Sequence, residues 1–291
     1  MDFGCVITAM VTPFDEDLNV DYRAFEKLVD YLIENGSDAL VVTGTTGESP
    51  TLSDEEKVNL YKIAKEVSQG RAKIIAGTGS YDTRHSIELS VKAQEIGVDG
   101  LLLVSPYYNK PTQEGLYRHF KMIAESVDIP VMLYDVPGRT SVTIEPETLK
   151  RLSEVKNIVA VKDAAGNLDK TSKTVALAPN LRVYSGDDSL TLPMLAIGAK
   201  GVVSVASHLV GKRIKEMIQA FEKGEVGKAR EIHLELFELF KALFVVTNPI
   251  PVKEALNMVG FKVGGLRPPL VGADEKTREI LKKTLSKLGL L

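Results

Sequence analysis

The chain has 291 residues, 44% of them hydrophobic and 26% charged, which is the composition of a globular protein with room for a full core. A net charge of −3, a pI near 5.9 and scattered Lys and Arg argue against a general nucleic-acid binder. The single cysteine, Cys5, excludes an intrachain disulfide and a zinc–thiolate cluster.

The opening segment "MDFGCVITAMVTPFDED" has no basic stretch followed by a long apolar one, so no signal peptide is expected. No apolar run reaches the roughly 18–20 residues of a membrane helix. A cytoplasmic protein without membrane contact is expected.

The first apolar run, "CVITAMVTPF" (5–14), precedes a helical pattern. There Phe25, Leu28, Val29, Leu32 and Ile33 share a face and Gly36 stands where a C-terminal cap belongs. "ALVVTGTTGE" (39–48) follows, then "SDEE", where Ser53 and Glu56 form a capping box ahead of Leu60, Ile63, Ala64 and Val67. Next come "AKIIAGTGS" (72–80), "GLLLVSPYY" (100–108), "PVMLYDVPG" (130–138), "IVAVKDAAG" (158–166), "LRVYSGDD" (181–188) and "GVVSVAS" (201–207). Pro146 suits the first turn of an intervening helix.

These eight runs are nearly continuous in apolar character, as in strands covered on both faces. Eight strand–helix units over residues 1–224 predict an α/β fold, a (β/α)8 barrel (TIM barrel). The alternative, a doubly wound open sheet, usually has fewer strands and a Gly-rich first turn, and "VTPFDED" is not Gly-rich. From residue 225 to 291 only helical patterns remain, predicting a C-terminal helical region with no linker before it.

Barrel enzymes place catalytic groups at strand C-termini. Those ends carry Thr12, "GTTGE" (44–48), "PYYN" (106–109), "YDVPGRT" (134–140), "KDAAG" (162–166), "SGDD" (185–188) and "SVAS" (204–207). Strict alternation puts Ile158, Ala160 and Lys162 on one face and Val159 and Val161 on the other. If the valines face the helices, Lys162 points into the barrel. Desolvation would lower its pKa from about 10.4 and make it a Schiff-base nucleophile. A lysine that snorkels or pairs with Asp163 fits this segment equally well.

Tyr134 alone reads as a core tyrosine or a proton relay. Arg139, in a Pro-Gly turn, reads as a surface residue or a carboxylate clamp. "GTTGES" (44–49) offers amides and hydroxyls to an anion but lacks the P-loop ending. "GTGS" (77–80) reads as a tight turn. The "GDD" of 186–188 reads as a helix cap. His85, His119, His208 and His233 lie far apart without metal-ligand spacing, so no metal is expected.

Together, "GTTGES", "SPYYNKPTQEGLYRHF", "YDVPGRT", "VKDAAGNL", "SGDD" and "TNPIPVKEALN" resemble the dihydrodipicolinate synthase family, in order and from "ITAMVTPF" to "LGLL". The resemblance implies a class I aldolase of the pyruvate-dependent lyase superfamily. It would join pyruvate to L-aspartate-4-semialdehyde on the way to diaminopimelate and lysine, with no cofactor beyond the imine. It implies that Lys162 forms that imine, Tyr134 moves protons, and Thr45 links Tyr134 to Tyr108, which reaches into a neighbouring subunit's site. Thr46 would contact the pyruvate carboxylate, Arg139 the semialdehyde carboxylate, and Gly186 and Val203 would line the pocket through their carbonyls. The family is usually a homotetramer, a dimer of dimers.

Two departures stand out. Lysine-inhibited members typically carry histidine, asparagine and glutamate at positions matching Lys57, Tyr81 and His85, while Ser49 and Tyr107 match; weak or absent lysine inhibition is expected. Asp135 stands where many relatives have asparagine. The rival readings are another imine-forming lyase, of N-acetylneuraminate lyase or 2-keto-3-deoxygluconate aldolase type, and a catalytically silent binder on the same fold. Arg139 favours a small acidic aldehyde, and a silent binder would lack the lysine or the tyrosine.

Overall fold

Eight short strands pair in parallel and in sequence order, and the last returns to the first, in a computed structural model that describes residues 2–291. The strands are β1 (Val6–Ala9), β2 (Ala39–Val42), β3 (Lys73–Gly77), β4 (Gly100–Val104), β5 (Val131–Asp135), β6 (Ile158–Asp163), β7 (Arg182–Ser185) and β8 (Gly201–Ser204). The closed barrel predicted from the eight apolar runs is therefore the fold, and the open-sheet alternative is not.

The continuous apolar character of the strands has a direct cause. Each strand buries one set of side chains inside the barrel and the other beneath the helices. Ile7, Val41, Ile75, Leu102, Met132, Ala160 and Val203 form the inner cluster. Val6, Leu40, Ile74, Leu101, Leu133, Val161 and Val202 join the outer one, with the helices.

One strand breaks the alternation. In β6 the register against β5 jumps from Val131–Ile158 to Met132–Ala160, so Val159 is the extra residue of a bulge. Ile158 consequently lies in the outer cluster with Val161, while Val159 leans on the inner one. The expectation that Ile158 shares the face of Ala160 is thus corrected. From Ala160 onward the period of two resumes, and Lys162 still points inward.

The barrel helices are α1 (Tyr22–Glu34), α2 (Asp54–Ser68), α3 (Thr83–Ile96), α4 (Gln113–Glu125), the short turn α5 (Pro137–Thr140), α6 (Pro146–Leu152), α7 (Leu168–Leu177), α8 (Thr191–Ile197) and α9 (Ser207–Glu222). α1 buries Phe25, Leu28, Val29 and Leu32 as its periodicity requires; Asp21 caps its start and Gly36 follows its end at φ +99°. The capping box of α2 forms as expected, with Glu56 N–H to Ser53 Oγ at 3.1 Å and Ser53 N–H to Glu56 Oε2 at 2.8 Å. Pro146 opens α6.

After the barrel come α10 (Val226–Ala242), α11 (Ile250–Met258) and α12 (Glu275–Lys287). α10 lies along α9. The chain around α11 crosses the barrel mouth, where Phe14 N–H donates to Val263 O at 3.0 Å. Among the described residues no helix is long and apolar enough to cross a membrane.

Candidate active site

The C-terminal ends of β5 and β6 put Tyr134 and Lys162 side by side as register partners. Lys162 is 5% exposed, and its Nζ sits 4.2 Å from the centroid of the Tyr134 ring. Among the described residues no carboxylate pairs with it. Asp163, the partner considered from sequence, turns the other way: it accepts from Thr171 Oγ1 at 2.7 Å and Ala165 N–H at 3.0 Å. With snorkelling excluded by burial and the Asp163 pair absent, the inward, unpaired amine remains. Burial drives its pKa down to about 7, against the pull of Asp188 and with the help of the Arg139 charge.

Tyr134 is equally enclosed. Burial pushes its phenol up to about 12, while the Arg139 charge and the adjacent Thr45 hydroxyl act to lower it. Tyr134, Thr45 and Arg139 line one cavity of about 200 Å³ together with Leu102, Val104, Tyr107 and Val136. Lys162, Thr46, Gly186 and Val203 are not on that wall, and Tyr134 is the side chain shared between the cavity and Lys162.

The "GTTGES" segment folds into a turn after β2. Gly47 N–H and Ser49 N–H return to Gly44 O, and Glu48 N–H to Thr45 O. The Thr45 and Thr46 amides are left without a protein partner among the described residues. Such paired free N–H groups suit a carboxylate. Thr46 is buried and its Oγ1 accepts from Asn248 Nδ2 at 3.0 Å. Arg139 is exposed on α5, yet its Nη2 donates to Asn248 O at 3.0 Å. One residue of the C-terminal region therefore touches both Thr46 and Arg139.

Gly186 N–H donates to Asp163 O at 2.8 Å, and a Cβ there would come within 2.6 Å of the Ala164 Cβ. No side chain fits at that position. Val203 belongs to the inner barrel cluster. Tyr108 is 93% exposed at φ +72° and stands outside its own chain's cavity, which Tyr107 lines instead.

Sequence reasoning missed three features. Asp187 does cap the turn after β7, accepting from Ser189 N–H at 2.8 Å, but Asp188 does not. It is 2% exposed and turns inward, where Ser204 Oγ and the Val205 and Ala206 amides donate to it. The reading of the whole "GDD" as a cap is corrected accordingly. Asn248 is the second. Third is the ion pair of Glu48 with Lys253, 2.8 Å apart and each 1% exposed. Asn248 and Lys253 both lie in "TNPIPVKEALN", whose local pattern points to no partner.

Asp135 has a physical explanation in the fold. Its buried carboxylate receives Lys170 Nζ at 2.6 Å, Thr143 Oγ1 at 2.9 Å and Ile144 N–H at 3.0 Å. The cation at 170 balances the charge. A separate cleft beside the cavity is lined by Ser49, Pro50, Asp54, Lys57, Tyr81, His85 and Tyr107. In it Asp54 is held by His85 Nε2 at 2.9 Å and by Lys57 at 3.7 Å.

The model of the dihydrodipicolinate synthetase family matches residues 2–288. The chain is 55% identical, over 293 residues, to a 4-hydroxy-tetrahydrodipicolinate synthase of Desulforamulus reducens, covering 100% of this chain and 99% of the other. Among solved structures, a dihydrodipicolinate synthase of Bacillus anthracis superimposes with a TM-score of 0.96 at 53% identity, over 98% of both chains. A lysine-bound synthase of Cyanidioschyzon merolae superimposes with a TM-score of 0.98 at 45% identity, over 99% of both chains.

Proposed function

The chain belongs to the dihydrodipicolinate synthetase family, and from that premise we infer that its imine is built on Lys162. Its activity is that of a 4-hydroxy-tetrahydrodipicolinate synthase, a lyase of the class I aldolase type acting on small molecules through a Schiff base. The rival sialic-acid or sugar-acid lyase reading is not favoured.

The neutral Lys162 amine adds to the carbonyl of pyruvate and water leaves, giving the imine. Tyr134, next to Nζ, returns and removes the protons that this exchange requires. Loss of a methyl proton yields the enamine, which attacks the aldehyde carbon of L-aspartate-4-semialdehyde. The product's own amine then displaces Lys162 as the ring closes. In this scheme Thr46 and the free Thr45 and Thr46 amides hold the pyruvate carboxylate. Arg139 holds the semialdehyde carboxylate, and the carbonyls of Gly186 and Val203 line the pocket.

Thr45 connects Tyr134 to Tyr108 of a second copy. The exposure of Tyr108 supports a contact of that kind. The reading is completed by a homotetramer built as a dimer of dimers, working in the cytoplasm without a further cofactor. One observation carries the scheme: an amine buried against Tyr134 at a strand end, with no carboxylate in ion-pair contact among the described residues.

The test is borohydride reduction in the presence of pyruvate, followed by intact mass. Wild type gains one reduced pyruvate at a peptide containing Lys162. Lys162→Ala gains nothing and does not turn over. An adduct on another lysine would refute the assignment.

A further inference from the structure

We propose that Lys253, in the C-terminal helical region, is a positioning residue for the ketoacid carboxylate: through the Glu48 carboxylate it holds the turn that presents the Thr45 and Thr46 amides. The proposal deepens the reading above and rests on it.

The pair joins residues 205 positions apart, with Lys253 Nζ 2.8 Å from Glu48 Oε1 and both side chains 1% exposed. Glu48 Oε2 is held by Arg267 N–H at 3.0 Å, so both carboxylate oxygens are fixed by the C-terminal region. Phe14 lies against the cation, its ring centroid 4.2 Å from Nζ. Burial pulls the Lys253 pKa down and Glu48 pulls it back up.

Glu48 also closes the turn. Its backbone is left-handed, φ +57°, a conformation that a non-glycine residue holds only when its surroundings impose it. Its N–H bonds Thr45 O at 3.1 Å, and its carbonyl accepts from Thr51 N–H at 3.0 Å. Those bonds fold the loop back and leave the two threonine amides without a protein partner among the described residues. A buried ion pair gains little over well-packed apolar residues as a source of stability. What it supplies here is a fixed, directional anchor at the residue that shapes the turn. Asn248, five positions before Lys253, adds a second hold on Thr46 from the same segment.

The decisive variant is the neutral pair Glu48→Gln/Lys253→Met, which leaves no unpaired charge. The expected result is a folded enzyme whose pyruvate KM rises about tenfold, because a displacement of about 1 Å is enough to cost that much. Its semialdehyde KM and its kcat at saturating pyruvate stay near wild type. Borohydride trapping then needs correspondingly more pyruvate. A folded double variant with wild-type pyruvate KM overturns the proposal. If that variant does not fold, Lys253→Arg, which keeps the charge but not the reach, is the substitute; it raises pyruvate KM severalfold, and an unchanged value overturns the proposal. Thr46→Val is run in parallel. If it raises pyruvate KM while the double variant does not, positioning by Lys253 fails and the carboxylate site stands. If neither variant raises pyruvate KM, the carboxylate site itself is wrong and the proposal falls with it.

Discussion

Lys162 and Tyr134 face each other across one pair of barrel strands, in register, with the ammonium nitrogen 4.2 Å from the phenol ring centroid. A cation over a ring is ordinarily favourable. Here the surroundings are dry enough that burial outweighs that attraction and the amine gives up its proton near neutrality. On the proposed mechanism, the same contact sets a proton donor beside the nucleophile.

The first consequence is a pH profile. The proposed nucleophile, Lys162, must react as the neutral amine, and burial brings its pKa down to about 7. Trapping with borohydride at fixed, low pyruvate should rise about tenfold per pH unit below that point and level off above it. Asp188 raises this pKa and Arg139 lowers it. Asp188→Asn should therefore move the midpoint down and Arg139→Ala should move it up. A flat profile between pH 6 and 9 would contradict a neutral-amine nucleophile.

The second consequence concerns stability. In the unfolded chain Lys162 titrates near 10.5, in the folded one near 7. Between those values the unfolded state binds the proton and the folded state does not, so this group makes stability rise with pH across that window. Below pH 7 the burial costs on the order of 5 kcal/mol, from ~1.36 kcal/mol per unit between 10.5 and about 7. Lys162→Met, similar in length and uncharged, should therefore raise the melting temperature at pH 7 while abolishing activity. The gain should shrink toward nothing as pH approaches 10. Equal stability of the two proteins at pH 7 would mean that the lysine is not desolvated.

Much of this was legible from the sequence for reasons the barrel makes plain. Parallel strands buried on both faces must be apolar throughout, so "ALVV" or "GLLLV" reveals itself without partners. Lys162 stood out because it ends such a run. Register did not show: nothing in "IVAVKD" marks Val159 as a bulge, since all four leading residues are apolar and either face accepts them. Asp188 does not declare itself because S-G-D-D has the composition of a helix cap, and only the fold brings Ser204 and the amides of 205 and 206 to it. Asn248 and Lys253 meet partners about 200 residues away, and no local period encodes such a meeting.

Arg139 yields a substrate-specific prediction. It is exposed, bound through one nitrogen to Asn248 O, and so keeps donors free for a carboxylate. Arg139→Ala should raise the semialdehyde KM about 10²-fold, in the range of a lost charged contact of ~2–3 kcal/mol. Pyruvate trapping at alkaline pH should be spared, since the Lys162 amine is then neutral whether or not the arginine is present. Arg139→Lys should recover only part of what Arg139→Ala loses, because a point charge cannot reproduce two parallel N–H bonds. Equal loss for both substrates would assign Arg139 a structural role instead.

The cleft around Asp54 leads to a regulatory prediction. A synthase of Cyanidioschyzon merolae that shares this fold has been solved with lysine bound. In the present chain the carboxylate that could receive an ammonium is already occupied: His85 Nε2 lies 2.9 Å from Asp54 and Lys57 Nζ 3.7 Å. Lys57 is 8% exposed, and burial lowers its pKa while Asp54 opposes that shift. A lysine ligand would have to displace these partners and bring a second ammonium beside Lys57 in a partly enclosed space. Like charges held a few ångströms apart at the protein surface repel by roughly 4 kcal/mol before screening, more than an exposed ligand carboxylate regains at a single contact. Millimolar lysine should accordingly leave turnover unchanged at saturating and at half-saturating pyruvate, and calorimetric titration should show no binding heat. Strong inhibition in either assay would show that Asp54 releases its two partners to the ligand.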